Sequence, residues 1–207
     1  MIRNIIWDVD GTLFDTYPAI STAFQLAVND LGGHVPLHWI MENARISLSH
    51  CLSTLADQCH LQKEDIGQKF DAYYSQVQPE AQPPFPGVIK ICQHICSGDG
   101  KNVIVSHRGS QGVTELLEAH HMAHLFSGCI GRDHGYPKKP SPAAFEAIIQ
   151  LHHLSKEETL AVGDRDIDIL AGQAAGVKTC LFDPAGGRSS ADLTITDFED
   201  LYTSLRQ

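Results

Sequence analysis

Long apolar runs are missing from this sequence; no stretch approaches the ~18 residues that a membrane-spanning helix requires. Missing too at the amino end are the basic region, apolar stretch and cleavage site of a secretory signal. The expected compartment is therefore the cytoplasm, with no membrane partner. Basic residues are scarce: Lys and Arg number 15 against 25 Asp and Glu, a formal charge of −10. That balance argues against a general nucleic-acid binder, which would present a basic face. No repeat or low-complexity segment is visible, aromatics are few, and Gly and Pro are moderate, as in an ordinary globular chain. The six cysteines (Cys51, Cys59, Cys92, Cys96, Cys129 and Cys180) are scattered through mostly apolar surroundings. In a reducing compartment they read as small buried hydrophobes. Cys92 with Cys96, and His120, His121 and His124, lack the spacing of a tetrahedral zinc set and read as helix faces.

What is present is a regular alternation. "IRNIIWDV" has the apolar density of a buried strand. Three helical segments follow without a strand between them: "PAISTAFQLAVNDLGG", "ISLSHCLSTLADQCHL" and "KEDIGQKFDAYYSQV". The Pro-rich "QPEAQPPFPG" closes that helical stretch. From there strands and helices alternate, with strands at "KNVIVS", "LFSGCIG", "TLAVGD", "VKTCLF" and "DLTIT". Such alternation predicts a parallel sheet covered on both faces. A chain of 207 residues can build one such core and carry a smaller insertion. The expected organisation is an α/β core from residues 1–15 and 82–207, with a helical cap over residues 16–81. The crossings near Asp15–Pro18 and Pro79–Pro86 are the expected hinges of that cap.

Ligands of open parallel sheets bind beyond the carboxyl ends of the strands. Asp8 ends the first strand, and Asp10 follows with Gly11 and Thr12. Ser106 ends "VIVS". Asp164 ends "AVGD", with Asp168 one helical turn on. Lys139, beside Lys138, lies just ahead of "PSPAAF". Any one of these could be a helix cap or a surface charge. Together they fall on one rim of the predicted sheet.

The segments "DVDGTLFDT", "VIVSHRG", "KKPSPAAF" and "GDRDID" resemble, in order and spacing, the four motifs of the haloacid dehalogenase-like phosphohydrolase superfamily. Helices inserted directly after the first motif resemble the subgroup with phosphoglycolate phosphatases and phosphosugar mutases. The resemblance implies a Rossmann-like sheet of order 3-2-1-4-5. It also implies a metal contact from the Asp10 main-chain carbonyl, and it favours Lys139 over Lys138 because the lysine stands immediately before the proline. His107 and Arg108 depart from the family's commoner Asn after the Ser or Thr of the second motif.

The chemistry can be argued from the residue types as well. Phosphoryl transfer needs an oxygen nucleophile in line with the leaving oxygen and neutralisation of the phosphoryl charge. Asp8 is the candidate nucleophile, forming an aspartyl-phosphate. Asp8 and Asp164 can hold Mg²⁺, which takes hard oxygen ligands. Asp10 can protonate the leaving alcohol and then deprotonate water. Ser106 and backbone N–H groups in the turn at Gly11 can bind phosphoryl oxygens, and Lys139 supplies a point charge. Asp168 is expected to support metal-bound water, and Thr12 to bond near Asp8 or cap the turn. Arg165 and Asp166 read as surface or helix-end residues. His107, Arg108 and, in the cap, Arg45 are candidate substrate contacts.

The expected activity is Mg²⁺-dependent hydrolysis of a small phosphorylated metabolite. A phosphosugar mutase, passing the phosphoryl group to a sugar hydroxyl, is the alternative. A haloacid dehalogenase is disfavoured, because halide displacement needs neither Mg²⁺ nor the acid at Asp10. A non-catalytic binding protein, the reading from another class, would commonly have lost one of these groups.

Overall fold

The computed structural model describes residues 1–187 and 189–206; Arg188 and Gln207, both in the segment expected to form the core, lie outside the described residues. Six strands, β1 (Asn4–Trp7), β2 (Asn102–Val105), β3 (Phe126–Ile130), β4 (Thr159–Gly163), β5 (Lys178–Phe182) and β6 (Leu193–Ile195), form one sheet. Their order is β3-β2-β1-β4-β5-β6 and every pairing is parallel. The sixth strand extends the expected order by one at its far edge. Strand β1 is central, with Trp7 opposite Ile104 on one side and Val162 on the other. All four of its residues are buried, as a strand covered on both faces must be.

The chain divides into two compact units, Met1–Phe14 with Pro83–Gln207, and Asp15–Gln82. The second unit is helical: α1 (Tyr17–Asp30), α2 (Leu37–Ile46), α3 (Leu48–Cys59) and α4 (Lys63–Tyr74). Three helical segments were expected there, and α2 is the addition. Its apolar residues Leu37, Ile40, Met41 and Ala44 do carry helical spacing. Ser47, in extended conformation, separates α2 from α3 and caps the latter by accepting from the His50 N–H at 3.0 Å. Stacking of Phe24 on Phe70, with ring centroids 4.0 Å apart, joins α1 to α4 in a core that includes Ile20, Ile40, Leu55 and Ile66.

The first unit is wound on both faces of its sheet. On one face Ile5, Trp7 and Val9 pack with α5 (Val88–Ser97), α6 (Ser110–Ala119) and α9 (Phe198–Leu205). On the other Ile6, Val103 and Val105 pack with α7 (Ala143–His152) and α8 (Asp166–Ala175). The alternation of Ile5, Ile6 and Trp7 between faces follows from the period of two along a strand. Each large apolar side chain buried this way contributes about 1.5–3 kcal/mol. A buried polar pair in this layer is satisfied: Trp7 Nε1 donates to Asn102 Oδ1 at 3.0 Å, and the Asn102 amide donates to the carbonyls of Cys92 and Leu125.

Candidate active site

The chain lays β2 and β3 to one side of β1 and then crosses to lay β4 and β5 on the other. Beyond the carboxyl ends of β1 and β4 the connections diverge, which opens a crevice at that edge. Asp8 follows β1 and is 3% exposed, its N–H donating to the Val162 carbonyl at 2.9 Å. Asp164 follows β4. Gly163 before it has no room for a side chain, because a Cβ there would collide with the carboxylate of Asp168.

Lys139 joins these groups. Its Nζ donates to Asp8 Oδ1 and to Asp168 Oδ1, both at 2.6 Å, and all three side chains are 2% exposed. The adjacent Lys138 is exposed, so burial distinguishes two lysines that are neighbours in sequence. Burial pushes the Asp8 carboxyl up to about 6, with Lys139 and Arg165 opposing the shift and Asp168 adding to it. Burial alone would depress the Lys139 ammonium, yet Asp168 and Asp8 outweigh it and hold the group above its ordinary value. Asp168 is held further by the Arg165 N–H, which donates to its Oδ2 at 3.2 Å at the start of α8.

Ser106, at the end of β2, is buried, and its Oγ accepts from the Arg108 N–H at 3.1 Å. Arg108 turns its guanidinium to Asp10: Nη2 lies 2.5 Å from Oδ1, and Nε lies 3.2 and 3.4 Å from the two oxygens. His107 turns instead to the lysine loop, where its Nε2 accepts the Lys139 main-chain N–H at 2.9 Å. Four carboxylates (Asp8, Asp10, Asp164 and Asp168) thus stand with three cations (Arg108, Lys139 and Arg165).

Several residues differ from expectation. The Thr12 hydroxyl does not bond Asp8 itself but donates to Asp164 Oδ1 at 3.4 Å, in the same cluster of carboxylates near Asp8. The Gly11 N–H donates to the Phe14 carbonyl at 2.9 Å, so this donor is spent inside the turn; what the glycine supplies is its φ of +81°. Arg165 is a helix-end residue but not a surface one. Its side chain is 18% exposed, with Nε 3.8 Å from Asp164 and 4.0 Å from Asp168. A charged residue opening a helix reads as solvated from sequence alone; the acidic neighbours that draw it inward come from β4 and α8. Arg45 lies on α2 in the helical unit, its guanidinium 5.6 Å from the Tyr17 ring centre and close enough to Asp15 to oppose the upward pull of burial on that carboxyl.

Asp8, Asp164 and Asp168 each offer a carboxylate oxygen within 4.8 Å of the others. Asp8 Oδ2 is buried and has no hydrogen-bond partner, although a buried acceptor requires one. Three converging carboxylates make an all-oxygen donor set, which fits a hard divalent cation such as Mg²⁺.

Fold and cluster together define an α/β protein with a carboxylate cluster at the strand ends. The chain belongs to the haloacid dehalogenase-like hydrolase family, whose profile matches residues 5–182. It is 34% identical over 188 residues to the phosphoglycolate phosphatase of Aliivibrio fischeri, covering 84% of this chain and 81% of that protein. A hydrolase from Streptococcus pneumoniae superposes with a TM-score of 0.71 at 27% identity, covering 100% of this chain and 99% of the other. A family hydrolase from Deinococcus radiodurans, solved with bound phosphate and sodium, superposes with a TM-score of 0.82 at 17% identity over 99% and 95% of the two chains. The chain is a phosphatase of this family.

Proposed function

We propose that this phosphatase is a Mg²⁺-dependent phosphomonoesterase for a small phosphorylated acid of the phosphoglycolate type, working through an aspartyl-phosphate on Asp8. The observation that carries the reading is the buried Asp8–Lys139–Asp168 array, which leaves Asp8 Oδ2 without a partner. A carboxylate desolvated to this degree and fixed on one oxygen is poised to use the other as a nucleophile. The name of the Aliivibrio relative supports the substrate class.

Asp8 and Asp164 would hold the metal, with the Asp10 carbonyl and with Asp168 and Thr12 behind them. When bound, Mg²⁺ neutralises phosphoryl oxygens so that a carboxylate can approach them. Asp8 attacks phosphorus as the bond to the leaving oxygen breaks, and Asp10 gives that oxygen its proton. Water then attacks the acyl phosphate while Asp10 takes its proton, and Asp8 is regenerated. Ser106 donates to a phosphoryl oxygen, and Lys139 keeps Asp8 oriented while offsetting negative charge.

Arg108 exchanges Asp10 for the substrate's own carboxylate, a planar group its fork matches. That exchange frees Asp10, which takes up a proton from water as the guanidinium leaves it, so that the acid is ready only when a suitable anion has arrived. The test is phosphate release from a panel of phosphomonoesters with and without chelator, for the wild type and Asp8→Asn. Metal-dependent release that favours small carboxylate-bearing esters, and is lost in Asp8→Asn, is expected. Release from no compound, or transfer to a sugar hydroxyl without free phosphate, would overturn it.

A further inference from the structure

We propose that His107 is a positioning residue: its imidazole Nε2 anchors the main-chain N–H of Lys139 and so fixes where the ammonium meets Asp8 and Asp168. The catalytic meaning of this anchor rests on the phosphatase reading above; the anchor itself does not.

The need for an anchor follows from the loop that carries the lysine. Residues 132–138 and Pro140 are exposed, and Lys139 is buried between them. A single side chain is inserted from a stretch that otherwise faces water. Pro137 and Pro140 have no N–H, so this stretch has few donors with which to hold itself. Upstream the backbone is laced to the end of β2, with Ser106 N–H on the Ile130 carbonyl at 3.0 Å and Arg132 N–H on the Arg108 carbonyl at 3.0 Å. Seven residues beyond Arg132, the Lys139 N–H reaches the ring of His107 at 2.9 Å. His107 directly follows Ser106, so one short segment supplies the Ser106 hydroxyl and sets the lysine.

To accept this hydrogen bond Nε2 must carry no proton, and Nδ1 must carry one. The surroundings favour the neutral ring. Burial, then Lys139, Arg165 and Lys138, lower its protonation to about 4, with Asp168 opposing. The partner requirement is therefore met through the neutral range. Loss of the anchor leaves the lysine in the site but free to shift with its loop, and a displacement near 1 Å can cost about 100-fold in rate.

The experiment compares His107→Leu, which keeps apolar bulk and removes the acceptor, with His107→Gln, whose amide oxygen lies near the place of Nε2. Turnover of a small phosphomonoester should fall roughly 100-fold in kcat for His107→Leu with KM changed less than about threefold, and His107→Gln should recover to within about tenfold of wild type. Amide hydrogen exchange at Lys139 should quicken in the Leu variant and not in the Gln variant. In the wild type, nitrogen-15 NMR of the His107 ring should report the Nδ1–H tautomer near neutral pH. A Nε2–H tautomer, or equal kcat in Leu and Gln variants with unchanged Lys139 exchange, would overturn the proposal. The tautomer decides the matter even if the Leu variant does not fold. If the enzyme releases phosphate from no ester, the tautomer and exchange results still stand or fall by themselves, and the failure belongs to the proposed function.

Discussion

Arg108 grips Asp10 with two of its nitrogens, the shortest contact being Nη2 to Oδ1 at 2.5 Å, and both side chains keep some access to solvent, 14% and 24%. A pair that open can be contested by an arriving anion, which a buried pair would resist. Replacing Arg108 by Ala should therefore lower kcat/KM for a carboxylate-bearing phosphomonoester by about 10- to 100-fold, the range expected when one partner of a charge-assisted contact is removed. A neutral phosphomonoester should be affected far less. Equal losses on the two substrates would show that Arg108 reads no carboxylate.

Lys139 and Lys138 differ in what their removal leaves behind. Lys139→Met strands two buried carboxylates and should cost about 3–5 kcal/mol. Lys138→Ala removes an exposed charge and should stay within about 0.5 kcal/mol. Urea midpoints measured in the absence of divalent metal would separate them; similar midpoints would contradict the burial of the Lys139 ammonium.

Metal should stabilise the folded protein measurably. At Mg²⁺ near 100 times its dissociation constant the gain is about 2.7 kcal/mol. Thermal melts with Mg²⁺ and with chelator should differ for the wild type and coincide for Asp8→Asn and Asp164→Asn. A full Mg²⁺ response in both variants would place the ion elsewhere.

His107 makes stability depend on pH in a defined window. Its ordinary value of 6.5 is lowered to about 4 in the folded chain, chiefly by burial and then by Lys139. As pH falls below 6.5 the unfolded chain binds a proton that the folded chain refuses, so this contribution is complete above 6.5 and is lost toward pH 4. The ring retains enough contact with water that the loss is smaller than the full shift implies. The stability slope between pH 6.5 and 4 should be shallower in His107→Gln than in the wild type; identical slopes would remove His107 from the balance.

The sheet was legible because its central strands are buried on both faces and read as unbroken apolar runs, as in "NIIW" and "NVIV". Helix α2 was less so. Its apolar stripe is only four residues long, and Pro36 before it reads as a loop. In the site, spacing brought Asp8, Ser106 and Asp164 to one rim, since each ends a strand. Spacing could not say which way a side chain turns after the strand stops. The choice of Asp10 by Arg108, of the Lys139 N–H by His107 and of Asp164 by Thr12 depends on loop geometry and on partners 98, 32 and 152 residues away. Gly11 marks the same limit: its place after Asp8 suggested a turn open to phosphoryl oxygens, while the fate of its N–H, on the Phe14 carbonyl, followed from the turn.

The central place of β1 bears on how the protein comes to be made. Trp7 pairs with Ile104 and Val162, so the ribosome must add roughly 150 residues after β1 before both neighbours exist, some 8–30 s at about 5–20 residues per second. Until β2 is made the apolar segment ending in Asp8 has no strand beside it, and until β4 is made it has one on one side only, while the core of the helical unit is drawn from residues 15–82 alone. Contacts so distant in sequence are the slow ones to close. The strand that ends in Asp8 is thus among the earlier segments synthesised, and the pocket that makes its carboxylate tolerable is among the last parts to assemble.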